Sequence, residues 1–196
     1  MAAPGTDPVD AVPEPSPLEA LMAADGTLEG SAEAEWRDFV EHVVETLDVG
    51  PGTSVWDAGC GAGAFLYPLW ENGYVVGGMD QAASLVERAR AAMPQGVFID
   101  AAPTSLDPAE PWDVVVASRG FSSLADVDAV RGVLARMAAK ATHAIAALGV
   151  VEEGTPGGSR LLMSRRDVLR LLAEIGVTGV QFEEAAGGRF NVFARV

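Results

Sequence analysis

Apolar residues recur three and four positions apart at Trp36, Phe39, Val40, Val43, Val44 and Leu47, a spacing that predicts one amphipathic helix. Ser31 stands where its cap would be, and Gly50-Pro51-Gly52 stops it. A shorter apolar stretch, Leu18 to Met22, predicts one or two helical turns broken by Asp25-Gly26. Beyond Gly52 the pattern becomes short apolar runs alternating with helical spacing, as a parallel sheet wrapped by helices requires. Strands are predicted at Ser54 to Asp57, Val75 to Met79, Val97 to Ile99, Asp113 to Ala117 and Thr142 to Leu148. Helices are predicted near Ala64 to Trp70, Ala82 to Met93, Val127 to Ala139 and Arg165 to Ile175. Two final strands, Val177 to Glu183 and Arg189 to Val196, are joined by a turn so short that they must be antiparallel neighbours. The fold class is α/β, a Rossmann-like, seven-stranded, mostly parallel sheet with helices on both faces and a C-terminal antiparallel hairpin.

Five of the 12 prolines fall within Met1 to Pro17, among small and acidic residues that offer little apolar area to bury, so residues 1–17 read as a disordered leader. Residues 18–50 read as a helical lid or cap and 51–196 as one ligand-binding domain. The formal charge of −15 argues against nucleic acid as a partner, because phosphate neutralisation needs clustered Lys and Arg. No apolar run reaches the roughly 18 residues of a membrane-spanning helix, and no secretory signal is visible, so the expected location is cytoplasmic with no membrane partner. A single cysteine, Cys60, is too few for a disulfide or a cysteine-based metal site, and no metal is expected. A homodimer is left open.

The chemistry concentrates where the first strand ends, at Asp57-Ala58-Gly59-Cys60-Gly61-Ala62-Gly63. Strand, glycine turn, helix is the arrangement that turns backbone N–H groups toward a ligand's oxygen atoms, and glycine is needed where a side chain would collide or φ must be positive. The same turn satisfies the dinucleotide fingerprint through Gly59-x-Gly61-x-x-Ala64, so it leaves two readings open. Asp80 ends the second strand, where a carboxylate can accept from both ribose hydroxyls in either reading.

The run Val55-Trp56-Asp57-Ala58-Gly59-Cys60-Gly61-Ala62-Gly63 resembles the first motif of class I S-adenosylmethionine-dependent methyltransferases of the small-molecule type, in which an acid precedes the glycines. The resemblance covers about residues 31 to 196. It implies S-adenosylmethionine as cofactor, with Asp57, Gly59, Cys60, Gly61 and Gly63 at its methionine part, Asp80 at its ribose, and Gln81 beside it among the cofactor-binding residues. It also implies Asp100 and Ala101 at the adenine and Ser118 at the methyl-transfer edge. Trp112-Asp113-Val114-Val115-Val116-Ala117-Ser118 is similar to the family's fourth strand. The chain departs from the family in having Gln81-Ala82 where a bulky residue is common, and Ser118-Arg119-Gly120-Phe121 where a His or aromatic often stands.

The expected activity is methyl transfer to an O or N atom of a small molecule, such as a secondary metabolite. The alternatives are a protein that binds S-adenosylmethionine without transferring methyl and a nicotinamide-dependent oxidoreductase. No catalytic base stands out; Arg119, His42 and His143 are weak candidates. Trp36, Arg119 and Phe121 are expected at the acceptor, in a pocket between Ser118 to Ser122 and Leu18 to Trp36. If the N-terminal segment is a lid, deleting residues 1–30 should hurt turnover far more than stability.

Overall fold

The computed structural model describes residues 14–26, 32–107, 109–119, 121, 123–153 and 162–196. Two helices, α1 (Pro17–Asp25) and α2 (Glu33–Thr46), precede the sheet. The capping box is at Ser16 and Glu19, and Ser16 Oγ also donates to Glu33, tying the two helices together. Ala32 is at the cap position of α2 without a side-chain hydrogen bond, and Ser31 lies outside the described residues. So do residues 1–13 of the expected leader.

The remaining elements are β1 (Ser54–Ala58), α3 (Leu66–Glu71), β2 (Val75–Asp80), α4 (Ala83–Ala92), β3 (Val97–Asp100), β4 (Trp112–Ala117), α5 (Val127–Lys140), β5 (Ala141–Val151), α6 (Arg165–Glu174), β6 (Thr178–Ala185) and β7 (Arg189–Arg195). They build one sheet in the order β3-β2-β1-β4-β5-β7-β6. The first five strands are parallel, and β7 enters antiparallel between β5 and β6. This is the Rossmann-like sheet with a terminal hairpin that the hydrophobic pattern predicts.

Strand alternation divides the core between two faces. Val114 and Val116 of β4 pack with residues of α1 to α4, whereas Val115 and Ala117 pack with α5 and α6. Leu18 and Met22 of α1 are fully buried in the first of these cores, beside Val40 and Val43 of α2. The N-terminal helix is therefore part of the core and not a flap lying over it, which corrects the expectation that residues 1–30 can be removed at little cost in stability.

One polar tie crosses the centre of the sheet's carboxyl edge. Asp57 at the end of β1 is completely buried and accepts from the backbone N–H of Ser118, 3.0 Å, and from its hydroxyl, just beyond the end of β4. Burial raises the Asp57 carboxyl to about 7, against the opposing effect of these two hydrogen bonds, and the nearby Asp25 and Asp80 carboxylates push the same way.

Leu18→Ala should destabilise the protein by about 2–5 kcal/mol, the range for emptying a well-packed leucine site, in chemical denaturation. Because the Asp57 pKa is higher folded than unfolded, the folded state holds more protons between pH about 4 and 7, and its stability falls as pH rises through that window. Thermal melts of Asp57→Asn should accordingly lack part of the wild-type decline across that window; parallel pH profiles would remove Asp57 as its source.

Candidate active site

The carboxyl ends of β1, β2, β3 and β4 lie side by side, so the residues that end them form one edge: the glycine turn, Asp80-Gln81, Asp100-Ala101 and Ser118-Arg119. An open parallel sheet binds its ligands at this edge.

Each glycine in the turn has its own reason. Gly59, Gly61 and Gly63 all have positive φ, at 107, 56 and 89°. A Cβ on Gly63 would run into Met93 and Ala89, so that glycine lets α4 pack on the turn. A Cβ on Gly61 would collide with the carboxylate of Asp25 and the guanidinium of Arg119, so that glycine opens the ligand side. Cys60 points the other way: its side chain is buried against Gly78 of β2, and burial pushes its thiol well up.

The N–H groups of the turn are all satisfied, and their partners reveal the site. Gly59 and Cys60 donate to the Met79 carbonyl, Gly61 to Asp80 Oδ2 at 3.0 Å, and Gly63 to the Cys60 carbonyl. Ala62 and Ala64 donate to the two oxygens of Asp25, at 2.6 and 3.2 Å, across 37 and 39 positions of sequence. Arg119 Nη1 stands 3.5 Å from the same carboxylate, whose side chain is 4% exposed. Burial raises the Asp25 carboxyl, opposed by the two backbone donors and then by Arg119. Asp80 Oδ1 accepts from Ala82 at 2.9 Å, and each Asp80 oxygen keeps a second lone pair for a ligand hydroxyl. Gln81 and Asp100 are exposed along the edge; Ala101 is half-buried and donates its N–H to the Asp80 carbonyl.

A cavity of about 370 Å³ opens beside the turn, within the roughly 300–1,000 Å³ common for small-molecule sites. Asp25, Ser118, Arg119 and Phe121 line its near side, and Trp36 and Phe39 form an aromatic wall with ring centroids 5.4 Å apart. Trp36 Nε1 donates to the Ala64 carbonyl at 2.8 Å, which fixes the wall to the turn. Gly120 and Ser122 of the expected pocket lie outside the described residues.

The far wall is one that sequence reasoning missed: Leu148 to Val151 at the end of β5, Met163, and Ala185, Ala186, Arg189 and Asn191 of the terminal hairpin. Two signals point to it. Gly149 has φ 65°, interrupting β5 where its register with β7 shifts, and Asn191 is a buried amide between Phe190 and Val192, its oxygen accepting the Gly149 N–H at 2.9 Å. Asp25 was missed as well, read as a helix breaker. Its signal is local: an acid as the last residue of a helix opposes the helix dipole, so something outside the helix must favour it.

Neither histidine belongs to the cavity. His42 is exposed and pairs with Glu183 of β6 at 2.8 Å. His143, near the start of β5, contacts the Leu47 carbonyl at 3.1 Å and the Arg195 guanidinium, at the opposite end of the strand from the cavity.

Residues 55–142 match the family model described as a methyltransferase domain. No curated protein matches the chain in sequence. Among solved structures, the chain is similar to an amino pentose methyltransferase of Micromonospora echinaspora involved in calicheamicin biosynthesis, at 17% identity over 89% of this chain and 96% of that one, TM-score 0.72. It is similar to a sugar N-methyltransferase of Streptoalloteichus, at 17% identity over 100% of this chain and 98% of that one, TM-score 0.72. A magnesium protoporphyrin IX methyltransferase of Synechocystis with bound S-adenosylmethionine matches at 20% identity over 81% and 78%, TM-score 0.66. At these identities the structures establish the shared fold, and the family match supplies the class. Together they set the nicotinamide reading aside: residues 55–142 carry a methyltransferase domain, within a chain that shares the fold of S-adenosylmethionine-bound methyltransferases.

Proposed function

We propose that this chain transfers a methyl group from S-adenosylmethionine to a nitrogen or oxygen atom of a small molecule held in the cavity beside the glycine turn. The observation that carries this reading is the meeting of the two regions: Asp25, Ser118 and Arg119 line the cavity and also touch the turn or the Asp57 that precedes it. An acceptor in the cavity would therefore lie against the end of β4, next to the turn.

The cofactor supplies an electrophilic methyl carbon on a sulfonium. The chain's part is binding, alignment and exclusion of water. Asp80 would accept from the ribose hydroxyls, the Asp57 to Gly63 turn would hold the methionine part, and Asp100 and Ala101 would border the adenine. Trp36, Phe39 and Phe121 give the acceptor an apolar wall that excludes water and restricts its orientation. Orientation alone can lower such a barrier by roughly 7–11 kcal/mol. Among the described residues lining the cavity there is no histidine and Asp25 is the one carboxylate. That composition favours an acceptor that arrives nucleophilic, such as an amine or an ionised oxygen. The similarity to an amino pentose methyltransferase and a sugar N-methyltransferase supports an amine-bearing acceptor. Arg189 on the far wall suits one that also carries negative charge.

Incubation with S-adenosylmethionine and a panel of aminosugars, carboxylates and phenols should give a product heavier by one methylene, together with S-adenosylhomocysteine. Cofactor binding without any methylated product across the panel would favour the binding-only alternative. Asp80→Ala should weaken S-adenosylmethionine in calorimetric titration, because each charge-assisted hydrogen bond to a ribose hydroxyl contributes about 1.5–3 kcal/mol. Affinity within twofold of the parent would remove Asp80 from the site.

A further inference from the structure

We infer that Asp25 occupies the seat of the cofactor's own carboxylate, so that the end of α1 and S-adenosylmethionine compete for the glycine turn. The inference rests on the cofactor reading given above. Three donors converge on one carboxylate: the N–H groups of Ala62 and Ala64, at 2.6 and 3.2 Å, and the Arg119 guanidinium, 3.5 Å away. The other N–H groups from Gly59 to Ala64 are engaged with the Met79 and Cys60 carbonyls or with Asp80, all within the strands and turn. Ala62 and Ala64 alone turn outward to a group from elsewhere in the chain. Backbone donors paired with a guanidinium form an anion seat.

The amino-acid end of S-adenosylmethionine carries one carboxylate, and a cofactor whose ribose lies at Asp80 must extend that end over this same turn. Two carboxylates cannot share the three donors. The space directly over Gly61 is also occupied, since a Cβ there would meet the Asp25 oxygen and the Arg119 guanidinium.

The helix is built to release this one side chain. Leu18, Leu21 and Met22 anchor α1 in the core, whereas Asp25 is its last residue and Gly26 follows in the left-handed conformation. Fraying of the final turn withdraws the carboxylate without unseating the helix. Arg119, whose side chain is 40% exposed, then exchanges one carboxylate for another. Asp25 in turn fills the donors when the cofactor has left, so that no buried N–H is orphaned. Cofactor affinity is lowered by the fraction of molecules in which Asp25 is seated.

The experiment is calorimetric titration of the full chain and of Asp25→Ala with two probes. S-adenosylhomocysteine carries the amino-acid carboxylate; 5′-methylthioadenosine lacks the entire amino-acid end. Asp25→Ala should bind S-adenosylhomocysteine at least about threefold more tightly and 5′-methylthioadenosine within about twofold of the parent. Asp25→Asn, which keeps the shape and loses the charge, should shift S-adenosylhomocysteine in the same direction. It also serves if thermal melts show that the alanine variant does not fold. Unchanged or weakened S-adenosylhomocysteine binding in a folded variant, with 5′-methylthioadenosine still bound, overturns the competition and leaves the cofactor site standing. Failure of both probes to bind the parent overturns the cofactor reading and this inference together.

Discussion

A buried backbone turn has to place each of its N–H groups, and between Gly59 and Ala64 that requirement organises the site. Two N–H groups reach sideways to the Met79 carbonyl, which fixes the turn to β2, and a third reaches Asp80, which fixes the carboxylate to the turn. The two that face outward draw Asp25 in from α1. The path of the chain before the sheet therefore follows from a polar constraint at the sheet's edge as well as from burial of Leu18 and Met22. Removing a partner would leave a buried donor unpaired, at a cost of about 1–3 kcal/mol.

The electrostatics of the edge follow from the same arrangement. The Asp80 carboxylate lies close enough to raise the pKa of Asp25, Asp57 and Cys60, and Asp25 acts the same way on Asp57 and Cys60, with Arg119 as the counter-charge at Asp25. Asp57 is kept fully inside by its two bonds to Ser118, so its role in the structure is to bind the end of β1 to the end of β4. A cation at this edge would find negative charge already in place, and S-adenosylmethionine carries both a sulfonium and an ammonium.

The strands were legible in the sequence because a sheet buried on both faces writes short continuous apolar runs, as in Val114-Val115-Val116, and because glycines mark its turns. The glycine turn and Asp80 were legible because their spacing is local. Asp25 was not, since no pattern in a helix reveals which turn, 37 residues later, its last side chain will reach. The far wall of the cavity stayed hidden for a related reason: Gly149 and Asn191 acquire their meaning only when β7 pairs with β5. The depth of α1 in the core also escaped notice, because Leu18, Leu21 and Met22 make too short a stretch to show a helical period. His143, a weak catalytic candidate on an apolar strand, is placed by the parallel register at the amino end of β5, away from the ligand edge.

The central claim is that the carboxyl edge at the glycine turn holds the cofactor. The most direct measurement is a titration of the 15N-labelled protein with S-adenosylhomocysteine, followed through its backbone amide resonances. The account predicts the largest shifts at Gly61, Ala62, Ala64 and Ala82, whose N–H groups now meet Asp25 or Asp80. Shifts concentrated away from these amides, or none at saturating ligand, would contradict it.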